Sequence, residues 1–193
     1  MWKRHEPVGQ DGILPHRLTR IPRHQEAGRL VSSRQAKALV TGPKQRIVVL
    51  VGLPGSGKST YLKELGANAI SSDEIRLLLA DDATIQTIHP QVFATMRYLL
   101  RHRIAIGRPV SYLDATHLTV AERAPYVSIA RAYGCDLEAV FFDVPVEVCQ
   151  VRNRIRQRVV PEEAIEAMRV KLVPPSREEG FTSIKVVRIV SSG

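Results

Sequence analysis

Aromatic side chains are scarce: one Trp, five Tyr and four Phe make up 5% of the 193 residues. A surface that stacks successive bases of a strand needs more rings than this, so a nucleic acid would be held chiefly by its backbone. Cysteine is scarcer still. Cys135 and Cys149 lack the spacing of a zinc site and read as small buried hydrophobes with free thiols, in a strand and at a helix start. No apolar run approaches the roughly 18 residues of a membrane helix. The start, Met1 to Pro7, carries charge with no apolar stretch behind it, so a secretory leader is not expected and a cytoplasmic location is. Acidic residues are also in deficit, with 19 Asp and Glu against 28 Lys and Arg, a net charge of +9 that favours a polyanionic partner.

What remains is 44% hydrophobic and 24% charged, the make-up of a soluble globular chain. Its length suits one domain with an appendage. Residues 1–45 hold nine Lys and Arg against three Asp and Glu, with Pro7, Pro15, Pro22 and Pro43 among them and no sustained apolar period. They read as a basic, loosely structured arm, with a short helix possible over residues 29–39. Residues 46–193 read as the folded domain. Short apolar runs there alternate with helical stretches, the signature of βα units around a central parallel sheet. Strands are expected at residues 47–51, 69–72, 110–113, 137–144 and 184–190. Helices are expected from residue 58, then at 74–80, 91–106, 120–133, 146–156 and 161–171.

Gly52-Leu53-Pro54-Gly55-Ser56-Gly57-Lys58-Ser59 fits the phosphate-loop pattern G-x-x-x-x-G-K-[ST], between an apolar strand and a helix. Its glycines let several backbone N–H groups converge on one anion. Lys58 would then bridge the β- and γ-phosphates of ATP, and the Ser59 hydroxyl would ligate Mg²⁺. Nucleotide contacts are expected along Gly52 to Thr60.

Downstream residues narrow the chemistry. Ser71-Ser72-Asp73-Glu74-Ile75-Arg76 follows the loop by one helix and one short strand, which brings a carboxylate back to the ligand-binding edge of the sheet. Asp73 and Arg76, three apart, share a helix face. Asp73 can take the proton of an acceptor hydroxyl, and Arg76 can grip an adjacent phosphate; the plainer reading is a helix cap with a solvent-exposed Arg. Asp114 closes an apolar strand, where an acid sits beside the loop serine and a metal-bound water. His117, just beyond, can touch acceptor or nucleotide or make a structural hydrogen bond. Arg152, Arg154, Arg156 and Arg158 alternate in a run that is either surface charge or a helical lid closing over the transferring phosphoryl group.

Together, GLPGSGKST, SSDEIR, LDATH, VRNRIRQRVVPEEAI and LVPPSREEGF resemble the kinase domain of polynucleotide 5′-kinases, within the small P-loop kinases that include zeta-toxin-like proteins. The resemblance runs from Arg46 onward. It implies a three-layer α/β P-loop fold and an ATP-dependent phosphotransferase of nucleic acid end repair, with ATP and Mg²⁺ as ligands and a 5′-hydroxyl end as acceptor. Lys58 and Ser59 would then serve the triphosphate and metal, and Asp73 the acceptor hydroxyl. Arg76 would serve the acceptor's phosphate, with His117 nearby, while Arg152 and Arg156 would belong to the lid and Asp114 would orient loop and lid. His117 departs from the Asn expected there. No phosphatase or ligase module accompanies the domain, so it is expected to act alone or with separate partners of that kind. A kinase of a small metabolite and a non-catalytic ATP-binding module are the alternatives.

Overall fold

The computed structural model describes residues 44–156 and 158–189. The arm and its short helix therefore lie outside the described residues, except for Lys44 and Gln45. Those two are tied to the domain: Lys44 Nζ pairs with Asp136 at 2.5 Å, and Gln45 donates to the carbonyls of Ile104 and Arg108 at 3.1 and 2.9 Å.

Five parallel strands run in the order β2-β3-β1-β4-β5, with β1 at Arg46–Val51, β2 at Ala69–Ser71, β3 at Val110–Asp114, β4 at Asp136–Asp143 and β5 at Ser183–Arg188. The central strand is apolar on both faces because both are covered. Ile47, Val49 and Val51 face a core with Met96, Leu100 and Tyr126, while Val48 and Leu50 face a second with Leu62, Cys149 and Ile165. Helices α1 (Lys58–Glu64), α5 (Val146–Arg154) and α6 (Glu162–Lys171) supply the second core; α2 (Ser72–Ala80), α3 (His89–Ala105) and α4 (Val120–Tyr133) supply the first. Three layers result.

The chain passes from β1 beyond β3 to β2, returns to β3 and then crosses β1 to β4, and a crevice opens at such a reversal, outside the carboxyl ends of the strands. The phosphate loop follows β1, Asp73 follows β2 and Asp114 ends β3, so all three reach that edge.

Several boundaries differ from the sequence reading. Helix α3 begins two residues early because Pro90 sits within its first turn, where the missing N–H costs nothing. Pro161 caps α6 from outside instead of opening it. Helix α5 stops at Arg154 because the buried Asn153 folds back on Val160, donating to its carbonyl at 2.7 Å and accepting from its N–H at 3.0 Å. The arginine run is thus one helical turn and a clasped loop. Cys135 lies just ahead of β4 and Cys149 within α5, both buried free thiols.

One buried charge ties the segment after β3 to the segment ahead of β5. Arg123 is fully buried and pairs through two amines with Glu179 at 2.8 and 2.7 Å. Its remaining amine donates to the carbonyls of His117, Leu118 and Val173. A buried charge is tolerated when it is paired and fully hydrogen-bonded, as here.

Candidate active site

A cavity of about 1230 Å³ opens at the carboxyl edge of the sheet. The phosphate loop, the start of α2, the end of β3 and the arginine loop after α5 all line it.

The loop is shaped by close approach. Gly52 N–H donates to the Thr116 carbonyl at 3.0 Å. Gly55, at φ 82°, lies against the backbone of Cys149 so closely that a Cβ would overlap its carbonyl oxygen. No side chain caps α1, so its first-turn N–H groups are left for another acceptor. Lys58 is buried, and its Nζ donates to the carbonyls of Gly52 and Leu53 at 2.9 and 2.8 Å. Burial holds its pKa down to about 8, against the opposing pull of Asp114. Ser59 and Thr60 line the cavity beside it, and Arg152 approaches the loop at Gly57. Gly52 and Leu53 lie behind the lining, contributing backbone only.

Asp114 stands at the end of β3 next to the Ser59 hydroxyl, its pKa raised by burial and lowered in part by Lys58. These are hard oxygen donors, the kind Mg²⁺ takes together with waters and phosphate oxygens.

Asp73 lines the same cavity. The helix cap expected of it falls instead to Ser71, whose hydroxyl accepts from Glu74 N–H, so the Asp73 carboxylate remains half exposed. Its Oδ1 receives Arg76 Nη1 at 3.2 Å and Arg158 Nη1 at 2.5 Å. Arg76 is buried, at 3% exposure, rather than solvent-exposed. Its Nη2 meets His89 Nδ1 at 3.0 Å, and its Nε is sealed without a partner. Burial, then the Arg76 charge, keeps His89 below the usual histidine pKa, so the neutral ring accepts from Arg76.

The structure corrects the place of His117. Its side chain is fully buried, outside the cavity lining, with Nδ1 on the Leu50 carbonyl at 2.8 Å and its ring edge-on to Tyr126. Burial drives its pKa down to about 4. Of its two readings, the structural hydrogen bond is the one observed.

Arg156 lines the cavity on the side of Lys58 and Asp114, whose titrations both feel its charge. Arg154 turns outward to Glu162 at 2.7 Å. Sequence reasoning placed Arg158 only within the arginine run, without its contact to Asp73, and singled out neither His89 in the lining nor the supporting Asn153 and Arg123. The alternation of arginines was the available signal for Arg158; nothing local marked the other three.

This geometry has relatives. A family model, AAA_33, described as an AAA domain, matches residues 47–175. The chain belongs to this AAA domain family. Among curated proteins it is 26% identical over 148 residues to the bifunctional polynucleotide phosphatase/kinase of Schizosaccharomyces pombe, covering 74% of this chain and 33% of that protein. The chain thus spans about a third of that relative's length. Among solved structures the AAA domain resembles a chain of the Pnkp1/Rnl/Hen1 RNA repair complex, with a TM-score of 0.55 and 20% identity over 69% of this chain and 45% of that one. It also resembles a sugar kinase from Janibacter sp., with a TM-score of 0.53 and 18% identity over 76% and 86% of the two chains. At these identities the structures share the fold.

Proposed function

We propose that the protein is an ATP-dependent phosphotransferase that moves the γ-phosphoryl group to the 5′-hydroxyl end of a polynucleotide. One observation carries this reading: a half-exposed carboxylate, Asp73, shares a cavity with a phosphate loop, its buried lysine and an arginine-bearing loop. A base in the same cavity as a phosphate donor is the minimum that transfer to a hydroxyl requires. The Asp73 carboxylate takes the hydroxyl proton as the acceptor oxygen forms its bond to the γ-phosphorus. The bond from that phosphorus to the β,γ-bridging oxygen breaks, and ADP departs. Lys58 exchanges its loop carbonyls for phosphate oxygens, and Arg152 and Arg156 neutralise charge on the transferring group. Ser59 and Asp114, the latter through water, would hold Mg²⁺, which when bound draws charge from the β- and γ-oxygens.

The polynucleotide acceptor is favoured by the likeness to the Schizosaccharomyces pombe phosphatase/kinase and by the excess of Lys and Arg in residues 1–45. Separate phosphatase or ligase partners would complete end repair. Incubation with ATP labelled at the γ-phosphate should label oligonucleotides ending in a 5′-hydroxyl and leave those ending in a 5′-phosphate unlabelled. Label appearing only on sugars or other small alcohols would move the acceptor to that class. ATP binding without any transfer would make the domain a regulatory module.

A further inference from the structure

We propose that a row of three rings, His89, Phe93 and His117, braces the phosphate loop against Asp73, with Phe93 and His117 as positioning residues of the transfer. The brace rests on the phosphotransfer reading above and names what sets the gap between the two halves of its site.

The sheet does not fix that gap. Asp73 follows β2 and the phosphate loop follows β1, and β3 lies between them, so the two strands share no ladder. Strands two places apart stand about 10 Å from each other, whereas reacting atoms must come within about 3–3.5 Å, and an error of about 1 Å can cost about a hundredfold in rate. Strand β2 is moreover an edge of three residues. Side chains close the path instead. Asp73 Oδ1 receives Arg76 Nη1 at 3.2 Å, and Arg76 Nη2 meets His89 Nδ1 at 3.0 Å. The centre of the His89 ring lies 4.8 Å from that of Phe93, and the centre of Phe93 lies 6.3 Å from that of His117, edge to face. Both separations fall in the range where aromatic pairs attract. His117 then donates from Nδ1 to the Leu50 carbonyl at 2.8 Å, at the end of the strand that enters the loop.

His117 is costly where it stands, which sets it apart from a filler of the core. Its backbone holds φ 45°, a left-handed conformation that side chains resist. Its Nε2 is buried without a partner among the described residues, a loss that an apolar side chain would avoid. The turn that carries it is tied on both sides. Gly52 N–H donates to the Thr116 carbonyl at 3.0 Å, beyond Val49 and Leu113, the last paired residues of β1 and β3. Arg123 Nη1 donates to the carbonyls of His117 and Leu118 at 2.9 and 3.1 Å. Strain held by this many bonds marks a position where geometry matters. Leu50 and Gly52, the two residues this turn grips, lead directly into the loop whose Gly52 and Leu53 carbonyls receive Lys58. Phe93, half-buried in the cavity lining, joins this donor side to His89 and so to Asp73. Removing a ring therefore lets the phosphate loop and Asp73 move relative to each other.

The test uses the full chain, ATP and an oligonucleotide ending in a 5′-hydroxyl. Phe93→Leu keeps an apolar side chain but removes the middle ring, and His117→Asn keeps an N–H near the place of Nδ1 while removing the last one. Each should lower kcat about tenfold or more and leave the Kd of a non-hydrolysable ATP analogue within about threefold. The double variant should lose no more than the worse single one, because both break one path. Losses that multiply, a wild-type kcat in Phe93→Leu, or nucleotide affinity that falls in step with kcat would each overturn the brace. Should His117→Asn fail to fold, the same cycle run with Phe93→Leu and His89→Asn, which keeps an acceptor for Arg76, decides in its place. Histidine ring NMR separates the brace from the parent reading. Adding the ATP analogue should shift the His89 signal in the wild type and not in Phe93→Leu. That pattern in a protein that transfers no phosphate would uphold the brace and overturn the kinase reading. A shift absent from the wild type, or persisting in Phe93→Leu, alongside intact transfer would do the reverse.

Discussion

Gly55 of the phosphate loop packs against the Cys149 carbonyl of α5, with no space for a Cβ between them. At Gly55 the phosphate loop and the helix that leads into the arginine loop are therefore fitted to each other through backbone. At φ 82°, Gly55 also holds a conformation that a side chain resists.

Gly55→Ala should consequently weaken binding of a non-hydrolysable ATP analogue by about tenfold or more, since strain of about 1–3 kcal/mol is added before the overlap with α5 is counted. Circular dichroism should show the fold retained. Unchanged nucleotide affinity would mean that loop and helix can separate freely.

On the proposed phosphotransferase reading, Lys58 gives ATP binding a pH dependence. With its pKa near 8, the amine is largely neutral above that pH, and the triphosphate must restore its charge on binding. Binding at pH 8–9 should take up a proton, seen by calorimetry in buffers of different ionisation enthalpy, and affinity should fall by up to about tenfold per pH unit above 8. The absence of proton uptake would place the Lys58 amine in a wetter setting than its two carbonyl contacts describe.

His117 sets an acid limit on the fold. Its folded pKa of about 4 lies below the ordinary 6.5, so between those values the unfolded chain binds a proton that the folded one refuses. Its contribution is complete above pH 6.5 and is lost as pH falls towards 4, a change of about 3 kcal/mol. Urea unfolding across that range should show a shallower pH slope in His117→Gln than in the wild type. Equal slopes would assign the acid sensitivity to other groups.

The strands of the sheet were legible because each is marked by local signals, whereas their order was not. The apolar run around Val49 and the glycines after it mark a buried strand and a phosphate loop without reference to the rest of the chain. The helix of residues 120–133 was legible to both ends, since Thr119 and Gly134 cap it. Asp73 and Asp114 were placed at the correct sheet edge by position alone. What stayed hidden depends on contacts between distant segments. The partnership of Arg158 with Asp73 spans 85 residues, and that of Arg123 with Glu179 spans 56. An arginine in a string carries no mark of whether it will be buried, as Arg76 and Arg123 are, or turned outward like Arg154. His117 misled for the same reason: a histidine beside a crevice and one beneath it read alike until the chain is folded.

Asp73 carries the central claim, and Asp73→Asn tests it most directly because the amide keeps the shape of the side chain while removing the base. Transfer of labelled γ-phosphate to a 5′-hydroxyl oligonucleotide should fall by about 10² or more, while affinity for the non-hydrolysable ATP analogue stays within about threefold. Transfer at wild-type rate by the variant, or loss of nucleotide binding with chemistry intact, would contradict the assignment of Asp73 as the base facing the donor.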